Sequence, residues 1–310
     1  MLRAFLLIVV GLAGDPEHGE LFHKWGSALA EASEKVGVTR DRLVYLGDAK
    51  EEGARVNGRA TREEIDKALT GFAKTAAPDD VVYVVLVGHG SYDGRTARFN
   101  LPGPDMTPAD FSTLLRKLPV RNVVFVNTSS SSGPFVEELS APGRTIITAT
   151  RSGAEQFTTL FGGYFVEAFS TEAADADKNR RVSMLEAFQY AKSEVTRAYE
   201  REGLLMTEHA LLDDNGDKKG SQDPTPTGAE GKLAAALSLG SAADAAPLPD
   251  DPKLRALHLE RRELERRVEA LRLLKDSLPP AKYVSELERL VTDLALKTRE
   301  IRTLEGDPKR

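Results

Sequence analysis

The sequence predicts an α/β fold in which helices cover both faces of a mostly parallel central sheet, with an α-helical hairpin appended at the carboxyl end. Three observations predict it. The run Val81-Val82-Tyr83-Val84-Val85-Leu86-Val87 is β-favouring without polar alternation, the pattern of a strand buried on both faces. Similar apolar stretches recur at residues 4–10, 42–47, 122–126 and 144–149, separated by helical patterns at the spacing of βαβ units. Beyond residue 253 the apolar residues change to heptad spacing.

The first stretch, Ala4-Phe5-Leu6-Leu7-Ile8-Val9-Val10, admits two readings. After Arg3 it has the form of a short signal peptide, but an amphipathic helix follows over 18–36 at βαβ spacing, so the strand is preferred. It is too short to cross a bilayer as a helix. Residues 42–47 form the next strand. Thr61-Arg62-Glu63-Glu64 opens a helix with a capping-box pattern that runs to residue 76. Ala77-Pro78-Asp79-Asp80 turns the chain into the 81–87 strand, and the polar, Gly-containing segment 92–100 reads as a loop. Thr107 caps another helix with Pro108 in its first turn. Residues 135–139 form a short helix, and 209–212 a last strand.

Two strand ends carry chemistry. Val87 is followed by Gly88-His89-Gly90, and glycine on either side leaves the imidazole open to approach at the carboxyl edge, where open α/β sheets bind ligands. The 122–126 strand runs into Asn127-Thr128-Ser129-Ser130-Ser131-Ser132-Gly133, a strand-to-helix turn of small hydroxyl residues that exposes a nucleophile to backbone amides.

In this order and context the two elements resemble those of the caspase-like clan of cysteine endopeptidases, which includes legumains, gingipains and bacterial relatives. The resemblance covers residues 1–215 and implies a three-layer caspase-like fold. It implies His89 as general base, Gly90 as an oxyanion-hole amide and Ser130 at the nucleophile position, with Ser129 as the alternative. It also places Arg151, Ser152 and Glu155 near the wall of the pocket for the specificity-determining side chain; a solvated strand-end charge is the competing reading for Arg151 and Glu155. The chain departs from the clan at the decisive atom. It has no cysteine, so a thiolate is unavailable. A hydroxyl needs a well-oriented base, and no third group that would orient His89 is visible.

Residues 175–186 have metal-ligand spacing. Asp175, Asp177, Asn179, Ser183 and Glu186 occupy positions 1, 3, 5, 9 and 12 of a twelve-residue loop that leads into a helix, an oxygen array suited to Ca2+. Arg180 stands where such a loop takes glycine, and the competing reading is a capping box between Ser183 and Glu186. No cofactor is required by either reading. Asp213-Asp214-Asn215-Gly216-Asp217 could supply a second acidic site, and its composition is equally that of a simple turn.

Residues 216–252 read as a flexible linker with one helical turn around 233–239. Over 253–307, Leu254, Leu257, Leu264, Val268, Leu271 and Leu278 precede Pro279-Pro280, and Leu287, Leu290, Leu294, Ile301 and Leu304 follow, the pattern of an antiparallel hairpin or short coiled coil. Such a hairpin must dock, self-associate or receive a partner.

Hydrophobic content of 41% and charged content of 29% in 310 residues are those of a globular protein with a sizeable core. A net charge of −6, with no basic groove interleaved with aromatics, argues against nucleic-acid binding. The lack of cysteine is compatible with either side of a membrane. Two functions are left. The favoured one is a pseudopeptidase that binds a peptide or protein partner. The other is an active endopeptidase using His89 and Ser130, or the Cys→Ser inactivated form of a cysteine endopeptidase.

Overall fold

Every residue of β1 (Ala4–Val10) is buried, and these strands alternate between two hydrophobic layers. The computed structural model describes residues 3–47, 55–240, 248–273, 275 and 278–305. Helix α1 (Pro16–Lys35) begins where Asp15 accepts the His18 amide at 2.9 Å. Strands β2 (Leu43–Gly47) and β3 (Gly58–Arg59) follow, then α2 (Arg62–Thr75), capped by the Thr61 hydroxyl. The fully buried β4 (Val81–Val87) pairs in parallel with β1 along its whole length, Ala4 opposite Val81 and Val10 opposite Val87. Strands without a polar face can lie only where both faces are covered, which puts this pair at the centre.

Residues 92–100, expected as a loop, instead belong to a small antiparallel ribbon of β5 (Gly90–Tyr92) and β6 (Ala97–Phe99). Asp93 makes it possible by accepting the amides of Arg95 and Thr96, so the Asp93-Gly94 pair turns the chain back. Helix α3 (Pro108–Leu115) has a complete capping box between Thr107 and Asp110. Strand β7 (Asn122–Asn127), α4 (Pro134–Leu139), β8 (Arg144–Thr148), α5 (Phe161–Glu167), α6 (Met184–Glu202) and β9 (Leu211–Asp213) complete the order β3-β2-β1-β4-β7-β8-β9 in a seven-stranded sheet. Only β9 runs antiparallel to its neighbour.

The period of two along the strands sorts side chains between the layers. Phe5, Leu7 and Val9 of β1 and Val82, Val84 and Leu86 of β4 join Phe72, Phe111 and Phe135 of α2, α3 and α4 in one cluster. On the opposite face α1 comes so close that a Cβ on Gly26 would stand 2.7 Å from the Tyr45 hydroxyl and 2.8 Å from Val10. Burial of each large core side chain contributes about 1.5–3 kcal/mol.

Residues 216–240, part of the stretch 216–252 expected as a flexible linker, fold onto this unit. Ser221 pairs with Leu212, and Ser238 bridges to Ser183. The Tyr83 hydroxyl donates to the Ser238 carbonyl at 2.6 Å, and Ala234 of α7 (Lys232–Ala236), Leu237 and Leu239 are buried. The misreading has a physical cause: the segment has little apolar mass of its own and takes its order from partners distant in sequence.

The second unit consists of α8 (Pro252–Leu273) and α9 (Pro280–Glu305). Val268, Leu271 and Leu290 are buried between them, flanked by Leu264, Leu278, Tyr283 and Leu287. The ion pairs Glu260–Lys297 and Arg267–Glu286 and the hydrogen-bonded pair His258–Glu305 step in opposite directions along the two helices, as antiparallel packing requires. Among the described residues no helix is long and apolar enough to cross a membrane.

Candidate active site

Parallel pairing carries the ends of β4 and β7 to the same sheet edge. Leu86 lies opposite Asn127, and the Leu86 carbonyl accepts both the Thr128 amide at 3.0 Å and the Thr128 hydroxyl at 2.8 Å. The next residues, Gly88-His89-Gly90 on one side and Ser129-Ser130 on the other, therefore leave the sheet side by side. The Ser130 hydroxyl donates to the Gly90 carbonyl at 3.0 Å, and the Gly90 amide donates to the same Oγ at 3.3 Å. A Cβ at position 90 would stand 2.1 Å from the Ser130 carbonyl oxygen, so this approach requires glycine.

The four serines have separate tasks. Ser129, the alternative nucleophile position, turns inward: its hydroxyl donates to Asn127 Oδ1 at 2.7 Å and it is 1% exposed. Ser131 has φ +55° and anchors the turn through its amide to the Glu155 carbonyl and its hydroxyl to the Gly153 carbonyl. A non-glycine residue in this region is held only where its surroundings dictate it, and such strain gathers at functional turns. Ser132 shares hydrogen bonds with Thr150, which also accepts the Gly133 amide. Only Ser130 directs its hydroxyl at the backbone beside His89.

His89 is half-buried, and its ring stands edge-on to two rings of α1, His18 at 4.7 Å between centroids and Phe22 at 5.0 Å. Burial holds its imidazole below the ordinary value, and nearby His18 adds to this; the Ala13 backbone hydrogen bond and Asp15 act in the other direction. Burial and His18 both favour the neutral ring, the form in which it can accept a proton. Among the described residues no hydrogen bond joins it to Ser130. Ala13, Asp15, His18 and Phe22 escaped the sequence reading because they come from the loop after β1 and from α1, and only the fold brings them to His89.

The expected pocket residues are arranged around a carboxylate. Glu155 Oε1 is 2.6 Å from His209 Nδ1 and 3.0 Å from Arg151 Nε, while Oε2 accepts the amides of Arg151 and His209. Glu155 therefore clasps two loops together, whereas Arg151 is largely exposed. Ser152 contributes its carbonyl to the turn, accepting from the Thr150 hydroxyl at 3.3 Å. Beyond it, a Cβ on Gly153 would meet the Tyr92 ring at 2.6 Å. His209, expected as a strand residue, lies just before β9.

The acidic loop is remote from these residues in sequence and closes on itself. Asp175, Asp177 and Glu186 do bring one carboxylate oxygen each within 4.8 Å of one another. Yet Asp175 accepts the amides of Asn179 and Arg180, Asp177 accepts the Asn179 amide and side chain, and the Asn179 side chain accepts the Arg181 amide. Glu186 accepts the amides of Ala176, Asp177 and Ser183 and the Ser183 hydroxyl, forming the capping box of α6.

A sequence model of the Peptidase C13 family, the legumain family of the caspase-like clan, matches residues 63–212. The match spans the strands that end at His89 and at Ser130. Together with the mostly parallel sheet and its flanking helices, it makes this region a homologue of caspase-like peptidases. A search of curated proteins found no match.

Proposed function

We propose that this homologue of the C13 peptidases is a pseudopeptidase, one that holds a peptide or protein partner at the carboxyl edge of its sheet without cleaving it. The observation that carries the reading is the engagement of the Ser130 hydroxyl with both polar groups of Gly90. Its proton is directed at a carbonyl instead of His89, and the Gly90 amide that would receive an oxyanion is occupied by Oγ. A hydroxyl is also far harder to deprotonate than the thiol this family uses. Binding is supported by the loops that Glu155 and His209 clasp: Phe157 and Leu160 follow the first, Leu204 and Leu205 precede the second, and all four are exposed. The position of His89 beside Gly90, with its pKa lowered by burial, supports the alternative of a serine endopeptidase, in which Ser130 would turn from Gly90 to the imidazole.

A diverse peptide library separates the two. The unaltered protein is expected to leave it intact, while Ser130→Cys gains cleavage that His89→Ala removes. Cleavage by the unaltered protein, dependent on both Ser130 and His89, would establish the serine enzyme. An inert but folded Ser130→Cys would show that the oxyanion hole or pocket is lost as well, leaving binding alone.

A further inference from the structure

A second group of carboxylates, on the far side of the sheet from His89, differs from the 175–186 loop in one respect. Asp213, Asp217 and Glu230 bring one oxygen each within 4.8 Å of one another. Asp213 closes β9 and is fully buried; its Oδ1 accepts the Gly216 amide at 3.1 Å, but its Oδ2 is buried with no hydrogen-bond partner. The Ser140 hydroxyl lies close enough to favour the charged form of Asp213 but makes no hydrogen bond to that oxygen. In the 175–186 loop, by contrast, both oxygens of each of the three carboxylates have donors.

Glu230 is 7% exposed and accepts the Asp214 amide at 2.7 Å. Burial raises its carboxyl to about 7, and neighbouring Asp214 and Asp213 push in the same direction. Asp213 too is raised, chiefly by burial. None of the three carboxylates forms an ion pair with a described lysine or arginine. Asp214 lies beside Glu230, but its two oxygens accept the Gly231 and Ala234 amides at the start of α7. A buried carboxylate oxygen without a donor, beside two further carboxylates, is unfavourable unless positive charge neutralises the group.

We propose that Asp213, Asp217 and Glu230 bind a hard divalent cation of the calcium or magnesium class. All the donors are oxygens, which select such ions over those preferring nitrogen or sulfur. The role is structural. Asp213 and Glu230 stand at the two ends of the excursion through residues 214–229, so an ion between them closes that excursion onto the sheet edge. Because β9 is antiparallel, with Leu211 opposite Thr148 and Asp213 opposite Ile146, the site faces away from the carboxyl edge where His89 and Ser130 lie.

The full-length protein, stripped with EDTA and dialysed, tests this by thermal unfolding in CaCl2 and in MgCl2. A cation that binds only the native state is expected to raise Tm by about 3 °C or more at millimolar concentration. Asp217→Asn should remove the response. It sits at an exposed position, and the Asn side chain can still accept the Lys219 amide, so the fold is retained. Asp175→Asn should leave the response in place. No shift with either salt would overturn the proposal, as would a shift that survives both Asp217→Asn and Glu230→Gln, or one lost in Asp175→Asn alone.

Discussion

The Ser130 hydroxyl and the Gly90 peptide group form a closed pair, Oγ donating to the carbonyl at 3.0 Å and accepting from the amide at 3.3 Å. The pair joins the two chain segments that leave β4 and β7. It satisfies polar groups at a buried strand end that would otherwise need water or substrate. The same contact makes the edge sterically exacting, because the Ser130 carbonyl lies where a side chain at position 90 would begin.

Gly90→Ala is therefore expected to lower stability by about 2–4 kcal/mol, since the added methyl meets backbone that cannot rotate away. Gly71→Ala in α2, where a Cβ meets nothing within 4 Å, should instead raise stability by about 0.5–1 kcal/mol. Urea midpoints of the two variants provide the check. A neutral Gly90→Ala would mean that the two strand ends are less tightly apposed than described.

The His89 imidazole should titrate below its ordinary 6.5 in an NMR pH series, because burial and His18 disfavour its charged form. A group whose folded pKa is depressed lends stability above the unfolded value, and that stability is lost as pH falls through the folded value. Stability should accordingly decline on acidification below about pH 6.5, and less so in His89→Gln. His18→Gln should move the His89 midpoint upward; an unchanged midpoint would remove His18 from the account.

At the opposite end of β4, the fully buried Asp80 accepts the Arg3 amide at 2.8 Å, the Arg3 side chain at 2.7 Å and the Ala77 amide at 2.7 Å. Burial pushes the Asp80 carboxyl up, but the Arg3 and Ala77 bonds outweigh it and hold it below the ordinary 3.8. Asp80→Ala should cost about 2–4 kcal/mol at neutral pH, the lower end reflecting the partial exposure of Arg3. The sign of its pH dependence follows from the lowered pKa. The contribution is complete above the unfolded value and disappears as pH falls through the folded one, so parent and variant should converge in acid. A gap independent of pH would exclude the ion pair as its source.

Glu186→Ala should destabilise by about 1–3 kcal/mol in the presence of EDTA, because Ser183, Ala176 and Asp177 all lose an acceptor at the start of α6. Chemical denaturation without metal measures this. A loss of stability seen only when calcium is supplied would transfer the residue from helix capping to metal binding.

The central strands were legible in the residues themselves. Unbroken apolar runs at 4–10 and 81–87 leave no solvent face, which as strands suits them to positions covered on both faces. The caps at Thr107 and Ser183 were legible for a similar reason, since hydroxyl-to-amide bonds act within one turn. The placement of His89 and the serine run after consecutive β-strands also follows from the sequence, because parallel strands deliver their carboxyl ends to one edge.

What the sequence could not determine depends on groups that meet only in three dimensions. The direction of the Ser130 hydroxyl is decided by Gly90, the lowered pKa of His89 by its burial and by His18, and the engagement of Glu155 by His209. Residues 216–240 lack the apolar periodicity of an element, yet Tyr83, Asp214 and Leu212 order them through hydrogen bonds that no local pattern encodes. Local pattern reports which backbone conformation a segment favours; which polar atom satisfies which other is decided by packing, because burial alone makes an unpaired group costly.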